Sequence, residues 1–240
     1  MGLVRRWRSR RGGGRGRMLR RVGWLAGALL LLAPALAILP LRWVSVDSTA
    51  FMRQAEAGGV AVRQEWVAAD RLSPWLGIAV VAAEDQTFPR HHGFDLGSIR
   101  AALDTGAARG ASTLSQQLVK NLDLWPDRSW LRKALEAWLT IYLEALVPKA
   151  RILEIYLNVA EFGTGLYGAE AAAKHLFGKS ASALTLDECA RLAAVLPSPK
   201  TMNAARPSAY VLERAAWITD QVRRLGGPGY LAFAAAAPRP

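Results

Sequence analysis

Cysteine is almost missing from this chain of 240 residues, in which Cys189 stands alone. One thiol makes no intrachain disulfide and no cysteine metal cluster, and its setting, LTLDECARLAAVLP, marks it as a small core residue of a helix. Also missing are a phosphate-cradling glycine loop, the glycine fingerprint of dinucleotide binding and the HExxH pair of zinc peptidases, so those chemistries have no carrier. There is no internal repeat. No segment alternates polar and apolar residues over a convincing strand length, which predicts a mainly helical fold. Acidic residues are absent from Met1 to Arg21, where nine arginines stand. The net charge of +12 therefore belongs mostly to this tail. Only about +3 is left for the remainder, which argues against a nucleic-acid partner.

What is present begins with Val22 to Leu41, VGWLAGALLLLAPALAILPL, an uncharged run of about 20 residues that suffices to cross ~30 Å of hydrocarbon as a helix. Pro34 and Pro40 bend such a helix without forbidding it, and Trp24 and Trp43 sit where interfacial aromatics belong. The arginine-rich flank places the N-terminus in the cytoplasm and everything after Arg42 on the far side of the membrane. A cleaved signal peptide is the alternative, because Ala35-Leu36-Ala37 resembles a cleavage site. The resulting layout is a basic cytoplasmic tail at 1–21, a transmembrane anchor at 22–43, a neck at 44–70, one compact domain at 71–230 and a disordered tail at 231–240.

Within the compact domain, Ser73-Pro74 starts a helix that is apolar on every face and must be buried. Pro89 stops it, leaving Glu84 and Asp85 at its last turn. A short helix is expected over Leu96 to Ala102, a small loop over Asp104 to Gly110, and a serine-capped helix over Thr113 to Asn121 whose free amides suit an anion. Further helices are expected over Trp130 to Leu146, Lys149 to Val159, Ala169 to Phe177, Thr185 to Leu196 and Pro207 to Leu225.

Two adjacent carboxylates at the end of an oily helix are costly unless paired or used. Burial raises the pKa of Glu84 and makes it a better proton acceptor near neutral pH, although a solvated helix end is the plain alternative. Four cations then fall within fourteen residues, Lys120, Arg128, Arg132 and Lys133. They suit a diphosphate better than they suit one another, whereas Arg132 and Glu136 at i,i+4 could also be a surface ion pair.

Four stretches, EDQTFPRHHGFD (Glu84 to Asp95), GASTLSQQLVKN (Gly110 to Asn121), RKALE (Arg132 to Glu136) and KARILEIYLNVAEFG (Lys149 to Gly163), resemble in order and spacing the motifs of the peptidoglycan glycosyltransferases. The likeness runs over Phe51 to Gly227 and is nearest to the monofunctional biosynthetic transglycosylases. It implies a mainly α fold, a lysozyme-like helical glycosyltransferase domain behind one N-terminal transmembrane helix, set in the cytoplasmic (inner) membrane with a periplasmic catalytic domain. It also implies polymerisation of lipid II into β-1,4 glycan strands with inversion. Glu84 would be the base and Glu136 the second catalytic carboxylate. Lys120, Arg128, Arg132 and Lys133 would neutralise the leaving diphosphate. Ser112, Thr113, Gln116 and Gln117 would position sugar and phosphate, with Asp85, Phe88 and His91 supporting the first motif on the substrate-binding side. No metal ligand is implied and no cofactor required, with a divalent cation, Mg or Mn, left open. The partners implied are lipid II, the growing lipid-linked glycan, the bilayer, and cell-wall synthesis proteins including a separate transpeptidase, since the SxxK and KTG motifs of bifunctional relatives do not occur. A muramidase or lytic transglycosylase also works with a glutamate but has no need of a cation cluster. An inactive wall scaffold is less attractive because Glu84, Lys120 and Glu136 are all in place.

Overall fold

The computed structural model describes residues 13–105, 112–127 and 129–232. The chain divides into two compact units, Met1–Ala37 and Ile38–Pro240. The first is occupied by helix α1, Gly13–Ile38, which keeps Pro34 inside it. With the turn that follows, it forms a segment of 27 residues, Gly16–Arg42, long and apolar enough to cross a membrane. At 1.5 Å per residue, that reaches ~40 Å, more than the hydrocarbon core requires.

Among its described residues, the regular structure of the second unit is helical except for one small sheet. Its elements are α2 (Ala50–Ala57), β1 (Arg63–Gln64), α3 (Pro74–Glu84), α4 (Leu96–Thr105), α5 (Leu114–Asp123), α6 (Trp130–Leu146), α7 (Lys149–Val159), β2 (Glu161–Gly163), β3 (Leu166–Tyr167), α8 (Ala169–Phe177), α9 (Leu186–Val195) and α10 (Ala209–Arg224). Helix α3 is its axis. The Ser73 hydroxyl accepts the Trp75 amide and Pro74 opens the first turn, so the start predicted from Ser73-Pro74 is the start observed. Every residue from Leu76 to Ala82 is buried. Burial of Leu76, Ile78, Val80 and Val81 contributes about 1.5–3 kcal/mol each, which explains an uninterrupted apolar sequence in so short a helix. Helices α9 and α10 pack on α3, as does the turn Gly227–Leu231, while α5 packs against both α6 and α7.

Three differences from the expected layout have clear causes. Residues 44–70, read as a neck, carry α2 and β1 and bury Val46, Met52 and Val67 in the same core as α3. Asn158 on α7 holds them there: its Oδ1 accepts the Val67 amide at 2.8 Å and its Nδ2 donates to the Val67 carbonyl at 2.9 Å. The sheet was not expected. β3 pairs parallel with β1 and antiparallel with β2, in strands too short to show an alternating pattern. Gly168, at φ +81, follows this sheet, and a Cβ there would lie 2.6 Å from the Asn158 carbonyl oxygen, so only glycine fits. Finally, Thr113 rather than Ser112 caps α5, in a reciprocal capping box with Gln116. Of the loop expected over Asp104 to Gly110, Asp104 belongs to α4, and of the tail expected over 231–240, Leu231 belongs to the turn Gly227–Leu231; residues 106–111 and 233–240 lie outside the described residues.

Candidate active site

The two carboxylates that end α3 face different surroundings because the chain leaves the helix between them; Asp85, at φ −159, is its C-cap. Asp85 is buried. Its Oδ2 accepts the Leu114 amide at the start of α5 at 3.0 Å, and both of its oxygens lie 2.9 Å from His91 Nε2. The Gly93 amide donates to His91 Nδ1 at 3.1 Å, which leaves Nε2 as the nitrogen that donates to Asp85. The Thr113 hydroxyl closes the loop by donating to the Gly93 carbonyl at 2.7 Å. At Gly93, φ is +88 and a Cβ would sit 2.7 Å from Thr140 Cγ2, so no side chain could replace its hydrogen. The first and second motifs are thereby tied into one rigid turn. The anion suited to the N-terminus of α5 proves to be the protein's own Asp85.

Glu84 borders a cavity of about 300 Å³, which Asp85 and Thr113 also line, together with Thr87, Asp95, Ser98, Ser112 and Trp217. Burial raises its pKa above the usual carboxylate value; a hydrogen bond from Gln117 and the charges of Arg214 and Lys120 partly offset this, while neighbouring Asp85 adds to the rise. Gln117 Nε2 donates to Glu84 Oε2 at 3.0 Å. Gln117 Oε1 accepts the Tyr156 hydroxyl at 2.8 Å. Arg214 is fixed by a 3.0 Å bond to the Ala83 carbonyl, with its guanidinium 4.3 Å from the Trp217 ring centre.

One turn along α5 from Gln117 stands Lys120. Both line a larger cavity of about 680 Å³ with Phe51, Asn121, Pro126 and Tyr156. Burial lowers the Lys120 pKa, with Glu136 and Glu84 acting in the opposite sense and Arg132 and Lys133 reinforcing the fall. Lys120 therefore feels both carboxylates. Its ammonium lies 5.7 Å from the Phe51 ring centre and has no ion-pair partner among the described residues. On α6, Arg132 Nη1 and Lys133 Nζ donate to opposite oxygens of Glu136 at 2.8 and 2.5 Å. Arg132 and Glu136 are buried, so the surface-pair alternative does not hold for them. A buried carboxylate shared by two cations leaves one net positive charge in a fixed place.

Several expected substrate contacts turn inward. Phe88 is fully buried, with Lys149 Nζ 4.2 Å from its ring centre, which makes it packing beneath the site rather than a wall of it. Thr113 and Gln116 bond within the α5 cap, and Asp85 and His91 bond each other, while Thr113 and Asp85 also line the cavity beside Glu84. Ser112 is exposed and lines the cavity beside Glu84. Arg128 lies outside the described residues. Sequence reasoning passed over Tyr156, Arg214 and Trp217. Tyr156 lies inside the fourth motif without a role read for it; nothing in the pattern of α10 pointed to the other two. Nor do the described residues contain a group of three or more His, Cys, Asp or Glu arranged to hold a metal ion.

Fold and site together define a mainly helical domain that sets a desolvated carboxylate at the end of α3 and a half-buried lysine on α5, and in sequence it follows an apolar N-terminal helix. The chain belongs to the transglycosylase family, whose profile matches residues 51–223 and whose domain is lysozyme-like. It is 53% identical over 228 residues to a biosynthetic peptidoglycan transglycosylase of Xanthomonas campestris pv. campestris (strain B100), a match covering 90% of this chain and 93% of that one. A protein of the same description from Ectopseudomonas mendocina (strain ymp) is 50% identical over 225 residues, covering 90% and 91% of the two chains. Another, from Chromohalobacter salexigens, is 52% identical over 176 residues, covering 72% and 75%.

Proposed function

We propose that this chain polymerises lipid II into β-1,4 glycan strands at the outer face of the cytoplasmic membrane. Membership of the transglycosylase family supports glycosyl transfer in peptidoglycan synthesis. The observation that supports the finer reading is that Lys120, one turn along α5 from the residue bonded to Glu84, feels the charges of both Glu84 and the Arg132–Glu136–Lys133 cluster.

In this scheme Glu84 takes the proton of the acceptor sugar's 4-hydroxyl, and the resulting oxygen nucleophile attacks the anomeric carbon of the donor strand. The bond from that carbon to the lipid diphosphate breaks, and the diphosphate leaves with the electron pair. Displacement in one step inverts an α-linked donor into a β-linked product. A diphosphate needs charge neutralisation more than a proton, and Lys120, with Arg132, Lys133 and Arg128, supplies it. Glu136 bonds two of those cations and so holds them together. Ser112 and Gln117 remain as polar contacts at the cavity walls. No cofactor is needed by this scheme, and a chelator titration decides whether Mg or Mn adds to it.

The domain layout belongs to the same proposal: residues 1–21 lie in the cytoplasm, 22–43 anchor the chain in the inner membrane, and the catalytic domain stands in the periplasm beside its lipid-linked substrates. Cross-linking of the strands falls to a separate transpeptidase. Purified full-length protein incubated with lipid II tests the reading. Glycan polymer from the native chain and none from Glu84→Gln or Glu136→Gln is expected. Degradation of finished glycan in its place would assign the fold to hydrolysis.

A further inference from the structure

We propose that Tyr156 is a positioning residue for the proton-accepting step, acting on Glu84 through Gln117, a role that rests on Glu84 being the base.

The geometry is a chain of two hydrogen bonds across three elements. The Tyr156 hydroxyl, on α7, donates to Gln117 Oε1 at 2.8 Å, and Gln117 Nε2, on α5, donates to Glu84 Oε2 at 3.0 Å at the end of α3. A glutamine amide presents an acceptor at one tip and a donor at the other, and rotation by half a turn exchanges them. With its oxygen held by a hydroxyl proton, the amide must present N–H to Glu84. Rotated, it would turn its carbonyl toward Glu84, which repels an ionised carboxylate and favours a protonated one. Tyr156 therefore selects the orientation that stabilises the ionised, proton-accepting form.

Tyr156 suits this task because it cannot move or ionise. The side chain is fully buried, and burial together with the charges of Glu84 and Asp85 pushes its hydroxyl well above the ordinary tyrosine range. It stays a donor at every pH at which the protein works. The groups that face Glu84 are Asp85 at the same helix end, Gln117 and Lys120 on α5, and Arg214 on α10, and a Tyr156→Phe change leaves all of their charges in place. The phenyl ring preserves the packing and only the hydroxyl is lost.

The test is the pH dependence of polymerisation by the full-length protein on lipid II. Tyr156→Phe is expected to lower kcat roughly three- to tenfold on the acidic side, the worth of one neutral hydrogen bond, with KM within about twofold of native. The acidic limb moves to higher pH, and the loss fades once Glu84 is fully ionised. A merely structural defect would lower the rate at all pH values alike. Gln117→Leu, which removes both hydrogen bonds of the chain, is expected to move the limb in the same direction, and Tyr156→Phe added to it is expected to change nothing further. An unmoved limb in Tyr156→Phe, or additive effects in the double variant, overturns the positioning role. Glu84→Gln separates this from the reading beneath it: an active Glu84→Gln removes the base assignment itself, whereas an inactive Glu84→Gln beside an unmoved Tyr156→Phe limb removes only the role of Tyr156.

Discussion

Asp85 Oδ2 accepts the Leu114 amide at 3.0 Å, so the second of two neighbouring carboxylates serves as the N-terminal anion of the helix that carries Gln117 and Lys120. The bond couples the ends of α3 and α5, and with His91 at 2.9 Å it uses both oxygens of Asp85. Asp85→Ala is expected to cost about 3 kcal/mol of stability, because a buried amide and an imidazole each lose a charged partner. Denaturant unfolding measures it. A midpoint unchanged from native would mean that water or a shifted His91 fully replaces the carboxylate.

Glu84 carries the opposite signature. Its folded pKa is raised by burial, so across the interval above the ordinary value of 4.5 the folded chain binds a proton that the unfolded chain has released. Its contribution to stability is therefore complete below that value and is lost as pH rises through the folded pKa. Glu84→Gln is expected to raise the melting temperature at neutral pH, with the gain vanishing toward pH 4, while polymer synthesis is abolished. Thermal melts at a series of pH values decide it, and a destabilised Glu84→Gln at neutral pH would contradict the desolvation account.

Lys120 is expected to set the other limb. Burial lowers its pKa below 10.5, so the cation is lost at a lower pH than on a free lysine. Polymerisation is expected to fall on the alkaline side with that titration. Lys120→Arg, which stays charged, should flatten the limb at a reduced maximal rate, because a planar fork replaces a point charge. Lys120→Gln should lose about 10²–10³-fold in kcat if the cation meets the leaving diphosphate. Rates of lipid II consumption against pH make the comparison.

Much of this was legible in the sequence. Helices α6, α7 and α8 run over the residues expected, because Pro148, Gly168 and Gly178 punctuate strong apolar periodicity. The burial of Leu76 to Ala82 in α3 follows from a helix with no polar face there. Three things could not be read. The pairing of Arg63–Gln64 with Leu166–Tyr167 joins segments far apart in sequence through strands with no alternation to detect. The α5 cap fell to Thr113 because the choice between two adjacent hydroxyls depends on which one can also reach the Gly93 carbonyl. Tyr156 could not be singled out because its ring is buried in the core and only its oxygen bonds to Gln117.

Asn158 supplies a prediction about the segment that joins the apolar helix to the domain. Its side chain satisfies both backbone groups of Val67 and also donates to the Glu154 carbonyl at 2.9 Å, while the Glu154 carboxylate accepts the Ala69 amide at 3.1 Å. Asn158→Ala leaves two buried backbone groups unpaired, at a cost of about 2–4 kcal/mol. The Val67 amide should then exchange hydrogen far faster than in the native protein, while protection within α3 falls only as far as global stability does. Equal loss of protection in both places would show that residues 64–69 have no separate opening.

Trp130 is 92% exposed and Leu131 65% exposed at the start of α6, with Trp125 39% exposed shortly before them. Core packing is therefore not the use of Trp130. Water-facing aromatic and aliphatic side chains next to a cation cluster suit a lip that enters the lipid interface, where an indole buries its ring and keeps its N–H wet. The expectation is that a chain beginning at residue 38, free of the apolar helix, still binds liposomes, and that Trp125→Ser with Trp130→Ser weakens partitioning roughly tenfold or more by removing apolar area from the interface. Circular dichroism on the same samples checks that the helical fold is intact. Cosedimentation equal to that of the parent chain would leave the two tryptophans without a membrane role, and their exposure would then need another partner.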